Sequence, residues 1–252
     1  MAQSAGVFAY GLSLADDALV LGHRLSQWSS RAPTLEEDIA LSNLALDLIG
    51  QARLFYTLAG NVEGKGRSED DLAYFRTPDE FRNVLLVELP NGDFAHTMVR
   101  QLLYAAFMHP YFEALSASRH AGLAEIAAKA VKEMAYHVRH SAEWVIRLGD
   151  GTDESRRRTT AALAELRPYT GELFEADLTE QALVTAGIAV DRQSLRPRWQ
   201  ATLDHVLREA GLDQPQSPST QSGGRSGHHT SHLAEMLADM QSLARAHPGA
   251  TW

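Results

Sequence analysis

The sequence predicts an all-α protein organised as a four-helix bundle with additional C-terminal helices. In four long segments, apolar residues recur at spacings of three and four, and no segment has the alternating pattern of an amphipathic strand. The chain has 252 residues and no cysteine, so it can bury a sizeable core without disulfides, and cysteine-bound zinc and iron–sulfur clusters are excluded. We expect a single helical domain over residues 1–252, with the bundle core at about residues 10–149.

The first half of the bundle is predicted from one apolar stripe and a set of helix-capping residues. The stripe of the first helix, at about residues 10–28, consists of Leu14, Ala18, Leu21, Leu25 and Trp28. Thr34 and Glu37 form a capping box for a second helix that runs to about Ala59. Residues 61–76 are predicted to form a loop. Thr77 and Pro78 then predict the start of a short helix that continues to about Glu88.

The second half contains two more long helices. The third helix carries the stripe Ala95, Val99, Leu102, Leu103 and Ala106, with Pro110 as a kink. The fourth covers residues 121–149, and its apolar face consists of Leu123, Ala127, Val131, Met134, Val138 and Val145. We place Met134 at the centre of this face and His137 at its flank.

Accessory helices are predicted after the bundle, in residues 152–211, at about 153–166, 179–186 and 195–210. Residues 213–230 begin with a run rich in Ser, Gly and Pro, which predicts a mobile linker or an extended arm. A C-terminal helix at about residues 231–247 follows, with the stripe Leu233, Met236, Leu237, Met240 and Leu243.

Charge and composition limit the partners and the location of the protein. The formal net charge is −9, which disfavours binding to nucleic acid or to an anionic membrane. No apolar run approaches the roughly 20 residues of a membrane helix, and the first twenty residues contain no Lys or Arg. We therefore expect a cytoplasmic protein. Glycine-rich nucleotide-binding motifs and a nucleophile-elbow motif do not occur.

A dinuclear metal centre in a four-helix bundle requires an acid and a histidine three residues apart on each of two helices, because that spacing places both ligands on one face. In the fourth helix the position three before His137 is Met134, and in the second helix the position three after Asp47 is Gly50. On the first helix, Asp16, Asp17 and His23 are predicted to point away from the apolar stripe. Glu133 is predicted to lie on the opposite, solvated wall of the fourth helix, in a charge run with Lys129, Lys132 and Glu143.

Two further motifs contain possible metal ligands. Asp93 and His96 have the acid-x-x-His spacing, but they lie at a helix start, where an acid interacts favourably with the helix dipole. His228, His229 and His232 lie where the linker joins the last helix. Since no carboxylate or cysteine accompanies these histidines at the usual spacings, we favour helix capping or surface packing over metal capture. The sequence therefore predicts no metal-binding, catalytic or cofactor-binding residue in this chain.

Four long segments resemble the C subunits of bacterial phenylacetyl-CoA 1,2-epoxidases, which are multicomponent oxygenases of phenylacetate breakdown. They are LEEDIALSNLALDLIGQAR at 35–53, EDDLAYFRTPDEFRNVLLVELPNGDFA at 69–95, KAVKEMAYHVRHSAEWVIRLGDGTDES at 129–155 and GGRSGHHTSHLAEMLADMQSLARAHPG at 223–249. The resemblance implies a ferritin-like bundle that pairs with a homologous di-iron catalytic subunit and has no working metal site of its own. Asp47 with Gly50, and Met134 with His137, would then be degenerate forms of the acid-x-x-His pairs.

The resemblance also implies the rest of the system. Dioxygen would be used at the di-iron centre of the partner, and NADPH would supply electrons through a separate flavin and iron–sulfur reductase. We expect a hetero-oligomer with the other subunits of the complex, and self-association when the chain is isolated.

Two alternatives stay open at this point. One is an enzyme with an atypical dinuclear site built from Asp47, Glu113, Glu133 and His137. The other is a free-standing helical acyl-CoA-binding protein, although the sequence offers no concentrated basic patch for the phosphates. We also predict that Asp47 pairs with a cationic group such as His137, because a buried carboxylate without a partner is costly.

Overall fold

The computed structural model describes residues 2–215 and 219–250. Within these residues every regular element is a helix, which confirms the predicted all-α fold. Contacts between Cα atoms divide the chain into two compact units, one from the described parts of Met1–Arg31, Glu36–Pro90 and Gly223–Trp252, the other from Ala32–Leu35 and Asn91–Ser222. The single domain over residues 1–252 stays a prediction.

The first unit contains one antiparallel pair of long helices. These are α1 (Ala2–Ser26) and α2 (Leu35–Glu63). Gly11 lies against Ala59, and Gly22 lies against Ala45, so the two chains run in opposite directions. At Gly22 an added Cβ would lie 3.0 Å from the side chain of Ile49, so glycine permits this close approach.

Both helices are longer than predicted. α1 begins at Ala2 rather than near residue 10, and α2 continues past Gly60 to Glu63. Gly60 does not end the helix. It leaves room for the backbone of Arg67, which lies where the Cβ of any other residue would be. Glycine after an apolar stripe predicts a helix stop, whereas it serves here for close packing.

Residues 61–76, predicted to be a loop, contain the short helix α3 (Glu69–Tyr74), which a capping box of Ser68 and Asp71 starts. The predicted helix from Thr77 to Glu88 is also corrected. Its capping box supports only a 3-10 turn, Pro78–Glu80, and a separate single-turn helix α4 covers Leu85–Glu88. The backbone between them is extended at Phe81 and Val84.

The second unit contains the antiparallel pair α5 (Phe94–Leu115) and α6 (Ala121–Gly149). The ring of Phe94 packs edge-on against Trp144, with centroids 4.9 Å apart. The accessory helices α7 (Asp153–Leu166), α8 (Leu178–Thr185) and α9 (Arg196–Glu209) follow close to the predicted bounds. Trp199 of α9 is buried and donates a hydrogen bond to the carbonyl of Leu103 at 2.9 Å, which fixes α9 to α5.

The segment predicted as a mobile linker contacts other parts of the chain at several of its described residues. Residues 216–218 of this segment lie outside the described residues. Gln221 donates a backbone hydrogen bond to Pro168 at 2.8 Å. Gly224 lies so close to the carbonyl of Asn83 that a side chain has no room, and Gly227 has a φ of +81°. Residues 223–230 are therefore held against other parts of the chain, although their low apolar content predicted a mobile segment.

The last helix, α10 (Ser231–Ala246), occurs where it was predicted. Leu233, Met236 and Leu237 are buried, but Leu243 is 55% exposed, so the predicted stripe is wrong at that end. The buried face continues instead to Gln241, whose amide donates to the carbonyls of Ala73 and Arg76 at 3.1 Å each.

α1 corrects a further expectation, because Gln3–Ser26 is long and apolar enough to cross a membrane by length and composition. In this structure 83% of the apolar window is buried against the rest of the protein. The window also contains the fully buried acids Asp16 and Asp17. These are the properties of a core helix.

Candidate functional site

The face of α6 that carries Met134 and His137 is fully buried. Its buried row consists of Leu123, Ala127, Ala130, Met134, His137, Ser141 and Val145. His137 is therefore part of the core face, rather than at its flank as predicted, and Val131 and Val138 are the residues at the edges. Met134 and His137 are each 0% exposed.

His137 is held by an amide of the neighbouring helix. Gln101 Nε2 lies 2.9 Å from His137 Nδ1. An amide nitrogen can only donate, so Nδ1 is the acceptor in this contact. Ser141 donates its hydroxyl to the carbonyl of His137 at 2.7 Å. One ring nitrogen of His137 is thus already occupied by a hydrogen bond from Gln101.

The other two positions of the candidate site are on α2 and are partly exposed. Asp47 and Gly50 are both of intermediate exposure, unlike Met134 and His137. A Cβ added at Gly50 would meet nothing within 4 Å, so the position where a histidine is required has only open space. Asp47 and His137 belong to different compact units, and the pairing between them stays a prediction.

The two remaining acids of the alternative site are in different surroundings. Glu133 lies one turn before His137, and its side chain is only 18% exposed, with Lys129 at 3.7 Å. Its predicted position beside Lys129 is confirmed, but Glu133 is less exposed than a residue of a solvated wall. Glu113 forms an ion pair with Arg198 and lies 3.4 Å from His109. The hydrogen bond to Arg198 lowers the pKa of Glu113.

Glu113 cannot share a metal with His137. His137 is opposite Gln101 on α5, and Glu113 is twelve residues further along that helix, which corresponds to about 18 Å at the α-helical rise. Among the described residues, there is no place where three or more His, Asp or Glu side chains come together so that they could hold a metal ion. A thioether at Met134 does not fit a ligand position of a di-iron carboxylate centre. The assignment of no metal-binding residue nevertheless stays a prediction.

Asp93 and His96 form a helix cap, as the sequence indicated. Asp93 is the N-cap of α5 and accepts a hydrogen bond from the backbone N–H of His96 at 2.9 Å. Burial, together with the nearby charge of Arg100, lowers the pKa of His96 to about 4. His96 is therefore neutral at pH 7.

The buried acids of α1 were missed by the sequence analysis. Asp16 and Asp17, predicted to point away from the core, are both 0% exposed. Asp16 pairs with Arg76, accepts from Tyr56 Oη at 2.5 Å, and accepts from the backbone N–H of Arg82 at 2.8 Å. Burial and the charge of Asp16 raise the pKa of Tyr56 well above its usual value, so the Tyr56 hydroxyl stays protonated and donates a hydrogen bond to Asp16.

Asp17 and Glu88 complete this buried network. Asp17 accepts from Arg225 Nη2 at 2.6 Å and from the backbone N–H of Val84 at 2.8 Å. Glu88 is 0% exposed and accepts from Asn83 at 2.8 Å and from the backbone N–H of Thr230 at 2.6 Å. The bonds to Arg82 and Val84 hold the chain between the 3-10 turn and α4 extended, which explains why no continuous helix forms there.

Each of the three carboxylates in this network has its own basic partner. Arg76 pairs with Asp16, Arg225 with Asp17, and His229 Nδ1 with Glu88 Oε2 at 2.7 Å. A metal-binding cluster would keep carboxylates free for the ion, whereas here the charges are already balanced by the protein itself. We therefore interpret this cluster as a structural network that fixes residues 76–90 and 223–230 to α1.

His229 was predicted to serve in helix capping or surface packing, without a carboxylate nearby. Its side chain is instead 4% exposed, between Glu88 and the carbonyl of Phe81. The carboxylate comes from a distant part of the chain, so the spacing of the histidines could not indicate it. His228 is exposed, and His232 lies 3.7 Å from Glu235.

Comparison with known proteins identifies the family. All residues, 1–252, match the family described as phenylacetic acid catabolic protein. The chain belongs to this family. A relative from Escherichia coli (strain K12), the C subunit of 1,2-phenylacetyl-CoA epoxidase, is 47% identical over 244 residues, which cover 97% of this chain and 98% of that protein. The ferritin-like helical fold implied by the resemblance is confirmed for this chain.

Proposed function

We propose that this chain is a non-catalytic structural subunit of a multicomponent di-iron monooxygenase that epoxidises the ring of phenylacetyl-CoA in phenylacetate breakdown. It would bind and support a homologous catalytic subunit in the cytoplasm. The observation that carries the proposal is the 47% identity to the C subunit of the E. coli epoxidase over almost the full length of both chains.

The chemistry of the candidate site supports the non-catalytic part of the proposal. Met134 has a thioether where a hard divalent ion requires a carboxylate. Met134 is fully buried, and an acid at this position would be costly without a metal ion to balance its charge. The irons would belong to the catalytic subunit, and a separate flavin and iron–sulfur reductase would supply electrons from NADPH.

The contribution of this chain would be a rigid helical surface for its partner. The buried acids Asp16 and Asp17 fix the segment after α3 and Arg225 to α1, and Glu88 of α4 binds the backbone of Thr230 at the start of α10. Such cross-linking by charged groups keeps distant segments in a defined arrangement. The partner would thus meet a preformed structure, which reduces the entropy lost on binding.

The test is reconstitution from separately purified proteins. This chain and the homologous catalytic subunit are each mixed with the reductase, NADPH and phenylacetyl-CoA, alone and together, and the epoxide is quantified. We expect no epoxide from this chain alone, a stable complex on size-exclusion chromatography, and more epoxide from the catalytic subunit when this chain is present. Epoxide formation by this chain in the absence of the catalytic subunit would contradict the proposal.

A further inference from the structure

One side of α2 carries apolar side chains that are exposed. Leu35 is 73% exposed, Ile39 55% and Leu46 66%. Their spacings of four and seven residues place them on one side of the helix, away from the buried row that includes Leu44 and Leu48. Gly50, four residues after Leu46, continues this side. We name Leu35, Ile39, Leu46 and Gly50 the α2 face.

The α2 face differs from the other exposed apolar residues. Among the described residues, the remaining large ones are Leu54, Phe75, Tyr136, Leu178 and Leu243. Apart from Leu54, at the edge of the α2 face, these belong to different elements of the chain. Single exposed apolar residues are normal on a protein surface, whereas several in register on one helix indicate a contact surface.

The charges along the α2 face are mostly acidic. Residues 35–52 include Glu36, Glu37, Asp38 and Asp47 and contain no Lys or Arg, and the next cation, Arg53, is paired with Glu69 at 3.2 Å. A complementary surface is therefore an apolar helix bordered by Lys and Arg. A second copy of this chain is a poorer match, because it carries a net charge of −9 and would bring the same acids to the contact.

Gly50 adds a steric argument. Its φ is not in the left-handed region, and a Cβ there would meet nothing within 4 Å, so the fold of this chain does not require glycine. Glycine in the interior of a helix is unfavourable but allows another backbone to approach closely. A partner helix that crosses α2 near Gly50 would use this space.

We propose that the α2 face is the surface that binds the homologous catalytic subunit, through a helix that presents apolar side chains bordered by Lys and Arg. The inference rests on the proposed function and adds to it the location and chemistry of the contact. Ile39 and Leu46 would be the central contacts, and Glu36 and Asp47 would face the cations of the partner.

The test compares lysine substitutions on and off the α2 face. Ile39→Lys and Leu46→Lys place a positive charge in the apolar centre of the contact, close to the Lys and Arg expected at its border. Leu178→Lys is the matched control, because Leu178 is 83% exposed on α8. Affinity for the purified catalytic subunit is measured by isothermal titration calorimetry, with circular dichroism and thermal unfolding as checks that each variant is folded.

We expect Ile39→Lys and Leu46→Lys each to weaken binding more than tenfold, and Leu178→Lys to bind like the unmodified chain. Wild-type affinity should also fall with added salt, because the rim contacts are between exposed charges. Unchanged affinity of the folded Ile39→Lys and Leu46→Lys variants would overturn the surface and leave the proposed function standing. The surface would also be overturned if Ile39→Lys and Leu46→Lys lost only self-association, because the α2 face would then bind a second copy of this chain. Failure of the unmodified chain to bind the catalytic subunit would overturn both proposals.

Discussion

Arg225 Nη2 donates a hydrogen bond to Asp17 Oδ2 at 2.6 Å and thereby joins a glycine-rich segment near the C-terminus to the middle of α1. Arg225 also donates to the carbonyls of Ser13 at 3.1 Å and Arg82 at 2.7 Å. The side chains of Arg225 and Asp17 are 18% and 1% exposed, respectively. One largely buried guanidinium thus connects three separate parts of the first unit.

Replacement of this guanidinium should destabilise the protein strongly. Arg225→Ala leaves Asp17 buried without its cation, for which we expect a loss of about 3–5 kcal/mol in the free energy of unfolding. Urea unfolding followed by circular dichroism measures it. Arg158→Ala is the control, since Arg158 pairs with Glu154 on the exposed surface of α7. Equal midpoints for the two variants would show that Arg225 does not anchor the segment.

The pair of His229 and Glu88 should make stability depend on pH. Burial lowers the pKa of His229, but its hydrogen bonds to Glu88 and to the carbonyl of Phe81, with the charge of Glu88, outweigh burial and raise the pKa above 6.5. Because the folded state binds this proton more tightly than the unfolded state, the stabilisation is fully present below pH 6.5 and is lost as the pH rises through the folded pKa.

The measurement compares the unmodified protein with His229→Gln by urea unfolding between about pH 5.5 and about pH 8.5. We expect the difference in unfolding free energy between the two proteins to be largest at the acid end and to shrink as the pH rises. A difference that stays constant, or grows with pH, is incompatible with a protonated His229 paired with Glu88.

A carboxylate in place of Met134 should be costly. Met134 is 0% exposed, and Met134→Glu introduces an acid without a designed partner, so we expect a loss of about 1–3 kcal/mol or more. Met134→Leu keeps the position apolar and should lose less than about 1.5 kcal/mol. Recovery of the stability of Met134→Glu on addition of ferrous ion would contradict the view that the remaining ligands do not form a metal site.

Two glycines should respond in opposite ways to alanine. At Gly50 a Cβ would meet nothing within 4 Å, so Gly50→Ala should raise the free energy of unfolding of the isolated chain by about 0.5–1 kcal/mol. At Gly22 a Cβ would lie 3.0 Å from Ile49 and 3.3 Å from the carbonyl of Ala45, so Gly22→Ala should destabilise. Thermal unfolding of both variants tests these two expectations. A loss of stability in Gly50→Ala would show that the space beside Gly50 is occupied.

The sequence was sufficient where the signals are local. The bounds of α6 and the cap of α5 at Asp93 follow from helical periodicity and from residues within one turn of the helix start. The burial of Asp16 and Asp17 could not be found in this way, because their partners Arg76 and Arg225 are 60 and 208 residues away. Placing acids on the exposed side of a helical wheel assumes that no distant cation will compensate them.

The candidate site was only partly predictable for the same reason. The absence of an acid three residues before His137 is visible in the sequence, and the structure places Met134 on the buried face as expected. The contact of His137 with Gln101 joins residues 36 positions apart on two helices and has no sequence pattern. Similarly, Gly224 and Gly227 are typical of a mobile segment, whereas here they allow residues 223–230 to pack closely against the first unit.

Iron content tests the central claim most directly. The chain and its homologous catalytic subunit are purified separately, incubated anaerobically with ferrous ion, desalted and analysed for iron per protein chain. We expect well below one equivalent of iron in this chain, because the Met134 thioether is a poor ligand for ferrous ion, and a filled centre in the catalytic subunit. A stoichiometric pair of irons in this chain, with the absorption of an oxo-bridged di-iron centre, would contradict this expectation.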